Sequence, residues 1–355
     1  MKIKLISFKQ FLYIFLFTIA LLKIFFSTTF LHADSFDIKN IEISKKFDKN
    51  FQKNDVINSG FKIGFKNLIL KIVNSTEQHK LKNISISDIK TIVDNFSIKE
   101  EKFIDDVYYV KLDVSFNKKR IFSILEKQNV FPSLPQRKKI LFIPILIDEE
   151  KKNIILFSEN IFFQKWLENI DDNHQLEYIL PVDDIEDVKM IKSKYNSLEE
   201  YDFESIIKKY SLDNFIISLF YKNRDGLRIL SKINLGNQLI LDNQSFQKFD
   251  FINSLDVIND LKTNFEDYWK KENQINTSIR LPLLVALNID NDKKIRNFET
   301  FLKNYDLVSN FYVKSLDKRK IYYQIIFNGT PRAFISNIEK SGFKLDIKNK
   351  IWNLE

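Results

Sequence analysis

The sequence has 355 residues, enough for two or three domains, and contains six Gly, six Pro and no Cys. The missing Cys excludes disulfide staples, a thiol nucleophile, Cys-bound zinc and a lipid anchor on cysteine. The formal charge of +8 is concentrated nowhere after the amino terminus. Residues 1–33 carry four Lys and no acid, whereas 34–134, 135–245 and 246–355 come to +4, −4 and +4 with both signs interleaved. A nucleic-acid binder gathers Lys and Arg into a patch, so no nucleic-acid partner is expected.

The amino terminus reads as an export signal. M-K-I-K-L-I-S-F-K-Q is basic, Phe11 to Leu22 is apolar with only Tyr13 and Thr18 interposed, and F-L-H-A-D offers a cleavage point after Ala33. The alternative is an uncleaved anchor over residues 11–31, which approaches the ~20 residues that span a bilayer. Either way the remainder is expected outside the cytoplasm, periplasmic or anchored facing the periplasm, with membrane contact only through 11–31 and only if the signal is uncleaved.

From 34 to 134 the pattern predicts a small α+β domain. Phe36 to Ile43 alternates as a strand. Val56 to Val73 is a helix with Ile57, Phe61, Gly64, Phe65, Leu68, Ile69 and Ile72 on one stripe. Gly60 and Gly64 lie four apart on it and suit close packing of the helix on a sheet. A shorter helix is expected at Asp88 to Phe96. D-V-Y-Y-V-K-L-D-V-S-F places Tyr108, Val110, Leu112, Val114 and Phe116 on one face of a half-buried strand, and Lys118 to Gln128 closes with a helix. F-P-S-L-P-Q-R-K-K reads as a linker.

From 135 to 245 the expected order is β-α-β-α-β, a parallel, doubly wound α/β core with an added hairpin. I-L-F-I-P-I-L-I is continuously apolar, as a strand buried on both faces is, although Pro144 removes a ladder donor. A helix at Glu159 to Glu168, a strand ending at Leu180, helices near 184–194 and 203–210, the strand F-I-I-S-L-F-Y, and strands near 227–234 and 237–242 follow. A helix from about 249 to 272, within a connecting segment 246–276, leads to residues 277–355. There the order β-α-β-β-α-β predicts a ferredoxin-like domain, with Thr330 capping a helix that starts at Pro331, and a last strand from Phe343 to Leu354.

The layout resembles exported bacterial proteins of the domain-of-unknown-function family numbered 2066. The residues that carry the likeness are I-L-F-I-P-I-L, the Trp helix F-F-Q-K-W-L, P-V-D-D-I-E-D, and a closing strand K-I-W-N-L-E. The resemblance implies an envelope protein. It implies no reaction and no catalytic residues, and this chain departs from the family in its low Ala and Arg.

Candidate chemistry is sparse. His79 and His174 have no second His at ligand spacing, so no metal is expected. Ser59-x-x-Lys62 and Ser341-x-x-Lys344 match a nucleophile motif whose companion motifs are missing. No phosphate-cradling loop is present, so no cofactor is expected. The acidic stretch P-V-D-D-I-E-D has two readings. Asp183, with Glu186 three residues later, forms a capping box. Alternatively Asp148, Asp183 and Asp184 converge at strand carboxyl ends beside Trp166 or Tyr178 to bind a cation or a sugar. The leading expectation is a non-enzymatic envelope protein acting by contact with an envelope protein partner, through edges of the C-terminal sheet. The alternative is a carboxylate-based enzyme or binder of envelope glycans using the acids at the strand ends of the middle domain.

Overall fold

Three β-sheets, each with helices on its apolar face or faces, succeed one another along the chain. The computed structural model describes residues 36–168, 174–236 and 238–355. The export signal, its cleavage point and the span 11–31 lie outside those residues. Among the described residues no helix is long and apolar enough to cross a membrane.

The first unit is an antiparallel sheet of β1 (Asp37–Lys46), β2 (Val93–Ile104) and β3 (Val107–Phe116) in the order β1-β3-β2. Helix α1 (Lys53–Ile72) lies on one face, with α2 (Ile86–Ile92) and α3 (Lys118–Lys127) closing the core. The predicted alternation of β3 holds: Tyr108, Val110, Leu112, Val114 and Phe116 are buried. The helix expected at Asp88 to Phe96 ends at Ile92, and β2 begins at Val93. β2 is exposed along nearly its whole length, so N-F-S-I-K-E-E-K carries no inward alternation to mark it as a strand.

The middle sheet is built on β4 (Lys138–Asp148), which pairs on one side with β7 (Phe215–Lys222) in parallel. On its other side β4 meets β6 (Leu176–Ile179), also parallel, at Lys138–Leu141, and β5 (Asn153–Ile155), antiparallel, at Leu146–Asp148. β8 (Gly226–Leu235) and β9 (Gln238–Gln247) continue the sheet antiparallel beyond β7. Helices α4 (Ile161–Trp166), α5 (Ile185–Ser193), α6 (Glu204–Tyr210) and α7 (Ser254–Glu272) cover it. Alternate β4 residues explain the continuous apolar run. Ile140, Phe142 and Leu146 pack with α4 and α7, while Leu141, Ile143, Ile145 and Ile147 pack with α5 and α6.

Pro144 costs this ladder nothing. Leu141 and Glu149 N–H donate to Asn214 O and Lys222 O, so odd-numbered donors of β4 face β7. Lys138 N–H donates to Gln175 O, so even-numbered positions face the other side. Between Leu141 and Leu146 that side has no strand. Pro144 falls in the interval, and its carbonyl accepts from Asn160 Nδ2 at 3.1 Å.

The last unit contains β10 (Leu281–Asn288), α8 (Asp292–Asn304), β11 (Val308–Leu316), β12 (Lys320–Phe327), α9 (Pro331–Lys340), β13 (Leu345–Asp346) and β14 (Trp352–Leu354), with sheet order β11-β12-β10-β14-β13. The order β11-β12-β10-β14 is that of a ferredoxin-like β-α-β-β-α-β unit, with β13 added outside β14, and Thr330 caps α9 ahead of Pro331 as expected. The expected final strand is a hairpin instead. Asp346 Oδ1 accepts from Lys348 N–H at 3.1 Å and turns the chain, so β14 reaches β10 in parallel.

Helix α7, a connector by its sequence, belongs to the middle core through Val257, Ile258, Leu261, Phe265 and Trp269. Its carboxyl-terminal half also ties to the first unit. Ser75 N–H and Oγ donate to Asp267 at 2.8 and 2.5 Å, and Lys270 Nζ donates to Val73 O at 3.2 Å.

Candidate functional site

The acidic stretch is a strand-to-helix junction whose carboxylates bond to separate partners. The cap of α5 is Asp184 rather than Asp183: Asp184 Oδ1 accepts from the N–H groups of Glu186 and Asp187 at 2.8 and 3.3 Å. Lys209 of α6 donates to Asp184 at 2.9 Å and to the buried Asp187 at 2.7 Å. Those two bonds, Asp187 first, raise the Lys209 pKa. Lys209 and then the two backbone donors lower that of Asp184. Val182 N–H donates to Tyr210 Oη at 2.6 Å, so two consecutive α6 residues hold the junction.

Asp183 is turned the other way, accepting from Ser158 Oγ at 2.6 Å. Asp148 is buried in its own turn, where it accepts from Lys151 N–H at 3.0 Å. Trp166 is fully buried, stacked on Phe142 with ring centroids 3.8 Å apart. Asp183 and Asp184 are thus neighbours in sequence with divergent bonds, no hydrogen bond or ion pair joins Asp148 to either, and Trp166 faces the core. Among the described residues no group of three His, Cys, Asp or Glu is arranged to hold a metal ion. His79 Nδ1 meets Thr76 O at 2.7 Å, and the hydroxyls of Ser59 and Ser341 donate to helix carbonyls of Asp55 and Asn337.

A group of buried ionisable side chains lies under α7, where the sequence pattern predicts none. Lys262 is 2% exposed, donates to Trp166 O at 2.7 Å and sits 5.4 Å from the Trp166 ring centroid. Glu266 is equally buried, and its Oε1 accepts from the N–H groups of Gln175 and Leu176 at 2.9 and 2.7 Å. Desolvation raises the Glu266 pKa and, more strongly, that of Tyr178 beside it. The signal available in sequence is the i,i+4 pair Lys262 and Glu266 flanking the stripe of Ile258, Leu261, Phe265 and Trp269. These charges anchor β6 and α4 to α7, which is a structural task.

The feature that faces solvent with unused bonding capacity is the outer edge of β9. It pairs with β8 through ten consecutive positions with no register shift, and among the described residues nothing pairs with its other edge. Lys248 N–H donates to Asp225 O across that hairpin. By the alternation of an antiparallel ladder, the backbone groups of Leu239, Leu241, Asn243 and Ser245 therefore point outward. Leu239 and Leu241 are 61% and 64% exposed. On the opposite face Ile240 and Phe246 pack into the core. Asp242, the one charged residue of β9, accepts from Gln244 Nε2, Asn264 Nδ2 and Tyr268 Oη at 2.8, 2.8 and 3.0 Å, which locks the strand onto α7. Burial, aided by that bond, pushes the Tyr268 hydroxyl up to about 12.

The other long edges carry the devices that discourage strand addition. β2 has two register shifts and the run Lys99, Glu100, Glu101, Lys102. β1 has one shift with Lys39, Lys45 and Lys46, and β11 has two shifts and Lys314. β9 has neither bulge, Lys nor Pro. The sequence pattern ends this strand near 242 because N-Q-S-F-Q looks like a loop.

No family model matches this chain, and a search of curated proteins finds no match to it.

Proposed function

We propose that this chain is a non-enzymatic protein of the bacterial envelope that works by protein–protein contact, taking an extended strand of an envelope partner against β9. The observation that carries this reading is the regular ten-residue edge of β9, free of Lys and bulges and without a neighbouring strand among the described residues. Strand addition of this kind takes affinity from main-chain hydrogen bonds and specificity from alternate side chains, here Leu239 and Leu241. The contact is placed on β9 rather than on the C-terminal sheet, whose long edge β11 is twice bulged. Envelope placement rests on the basic and apolar leader ending at Ala33 and on the likeness to exported proteins. The glycan-enzyme reading gains no support from Asp148, Asp183 and Asp184, whose bonds diverge.

The test uses Asn243→Pro. Proline at an edge position with an outward N–H leaves the β8 ladder intact while removing a donor for an incoming strand. A photo-crosslinker at Ser245 in intact cells should capture a discrete partner with the native chain and lose it with Asn243→Pro, at unchanged melting temperature. Capture that persists in the proline variant, or no capture at all, refutes the reading. Light scattering of the same pair of proteins separates a foreign partner from a second copy.

A further inference from the structure

Helix α1, the 3-10 turn Ser75–Leu81 and α2 enclose a cleft of about 410 Å³ in the first unit. Phe65, Ile69 and Leu81 form its floor, and the half-buried Leu70 and Ile84 form its sides. Its polar lining residue besides lysine, Gln78, has its amide engaged on Val73 O at 3.1 Å. Lys62, Lys66 and Lys82 stand on the lips, and no carboxylate lines the cleft.

The three lysines are exposed, and their ammonium groups have no ion-pair or hydrogen-bond partner among the described residues. Other lysines of the unit are paired. Lys45, Lys53, Lys80, Lys99 and Lys111 each meet a carboxylate, at 2.7–3.4 Å. Lys62 and Lys66 are one turn apart on one helix, where like charges repel, and Lys82 adds a third positive charge across the cleft. An anion between them relieves that repulsion. The floor supplies only apolar contact, so it has nothing to offer the main-chain groups of an extended peptide. The volume falls in the range of about 300–1,000 Å³ typical of small-molecule sites.

We propose that this cleft binds a single-chain amphiphile with an anionic head, a long-chain fatty carboxylate, its alkyl chain on the Phe65–Ile69–Leu81 floor and its carboxylate among Lys62, Lys66 and Lys82. The site is independent of the β9 edge, and either stands if the other falls.

Calorimetry of the whole chain with dodecanoate, dodecanol and dodecyltrimethylammonium, all below their micelle concentrations, separates head-group from chain recognition. Dodecanoate should bind once per chain, about tenfold more tightly than dodecanol, with the cationic analogue weakest. The triple variant Lys62→Ala, Lys66→Ala, Lys82→Ala changes exposed side chains and should fold normally. It should bring dodecanoate down to the affinity of dodecanol. Ile84→Trp, which fills the cleft from its side, should weaken all three. Equal affinity for the three amphiphiles, or an unchanged triple variant, overturns the proposal. So does binding to anionic vesicles or to an acidic amphipathic peptide with none to dodecanoate.

Discussion

Glu266 is a buried carboxyl whose charge state the fold controls. Burial raises its pKa above the ordinary value of 4.5, against the lowering effect of two backbone donors and of Lys270. Between 4.5 and the raised folded-state value, the folded chain therefore holds a proton that the unfolded chain has released. Its contribution to stability falls as pH rises through that window. Glu266→Gln keeps an oxygen for the Gln175 and Leu176 N–H groups and removes the titration. Denaturation midpoints measured from about pH 4.5 to neutrality should show the native chain losing stability relative to the Gln variant. Parallel curves would mean that Glu266 does not titrate in this range. Asp184 and Asp183 invite a second comparison at this scale. Asp184 holds two helix N–H groups and Lys209, while Asp183 holds only Ser158. Asp184→Ala should lower the melting temperature clearly and Asp183→Ala little. The reverse ranking would restore the cap to Asp183.

Among the elements, α1 is the one whose packing is most legible in the sequence. Its apolar stripe and the Gly60–Gly64 spacing specify a helix pressed on a sheet, and the fold places Gly60 against Leu112 and Ile43 and Gly64 against Ile41 and Phe116. A Cβ at Gly60 collides with Leu112 Cδ1, a residue with no exposed surface and no room to yield. Gly60→Ala improves helix propensity but should still cost about 1–3 kcal/mol through overpacking, measured by urea denaturation. A stabilised variant would mean that α1 stands off the sheet. β2 and the second half of β9 are illegible in the sequence. Both are edge strands: β2 is exposed along nearly its whole length, and the inward positions of the second half of β9 are the polar Gln244 and the half-buried Phe246, so apolar alternation is too sparse to mark either.

Residues 36–355 form one compact unit, and the joints between its parts are polar. Lys118 at the start of α3 donates to Asp306 at 2.7 Å, linking the first and last sheets across 188 positions of sequence. Burial lowers the Lys118 pKa, with Asp306 opposing that effect. Asp306→Ala leaves this ammonium group without its partner and should cost about 1–3 kcal/mol, with less effect at high salt. A double-mutant cycle with Lys118→Met that gives no coupling would show the joint to be incidental. Pro132, Leu134, Asn273 and Ile275 also interlace, Ile275 N–H donating to Pro132 O and Leu134 N–H to Asn273 O. The segment that reads as a linker is thereby fastened to the end of α7. A proline-rich, basic stretch announces the absence of regular structure but not what it will be tied to.

The sequence by itself determined the mixed α and β class, the order of nearly all elements and the two-faced burial of β4. It also determined the ferredoxin-like order of the last unit. These follow from local periodicity and from turn and cap residues, which act over a few positions. Tertiary structure decided what long-range pairing decides. It placed Pro144 in an interval without a strand, turned Asp183 and Asp184 to different partners, drew α7 into the middle core, and left β9 as the long edge without a bulge. Each depends on which strand lies beside which, and two residues adjacent in the chain carry no mark of the different neighbours they will meet.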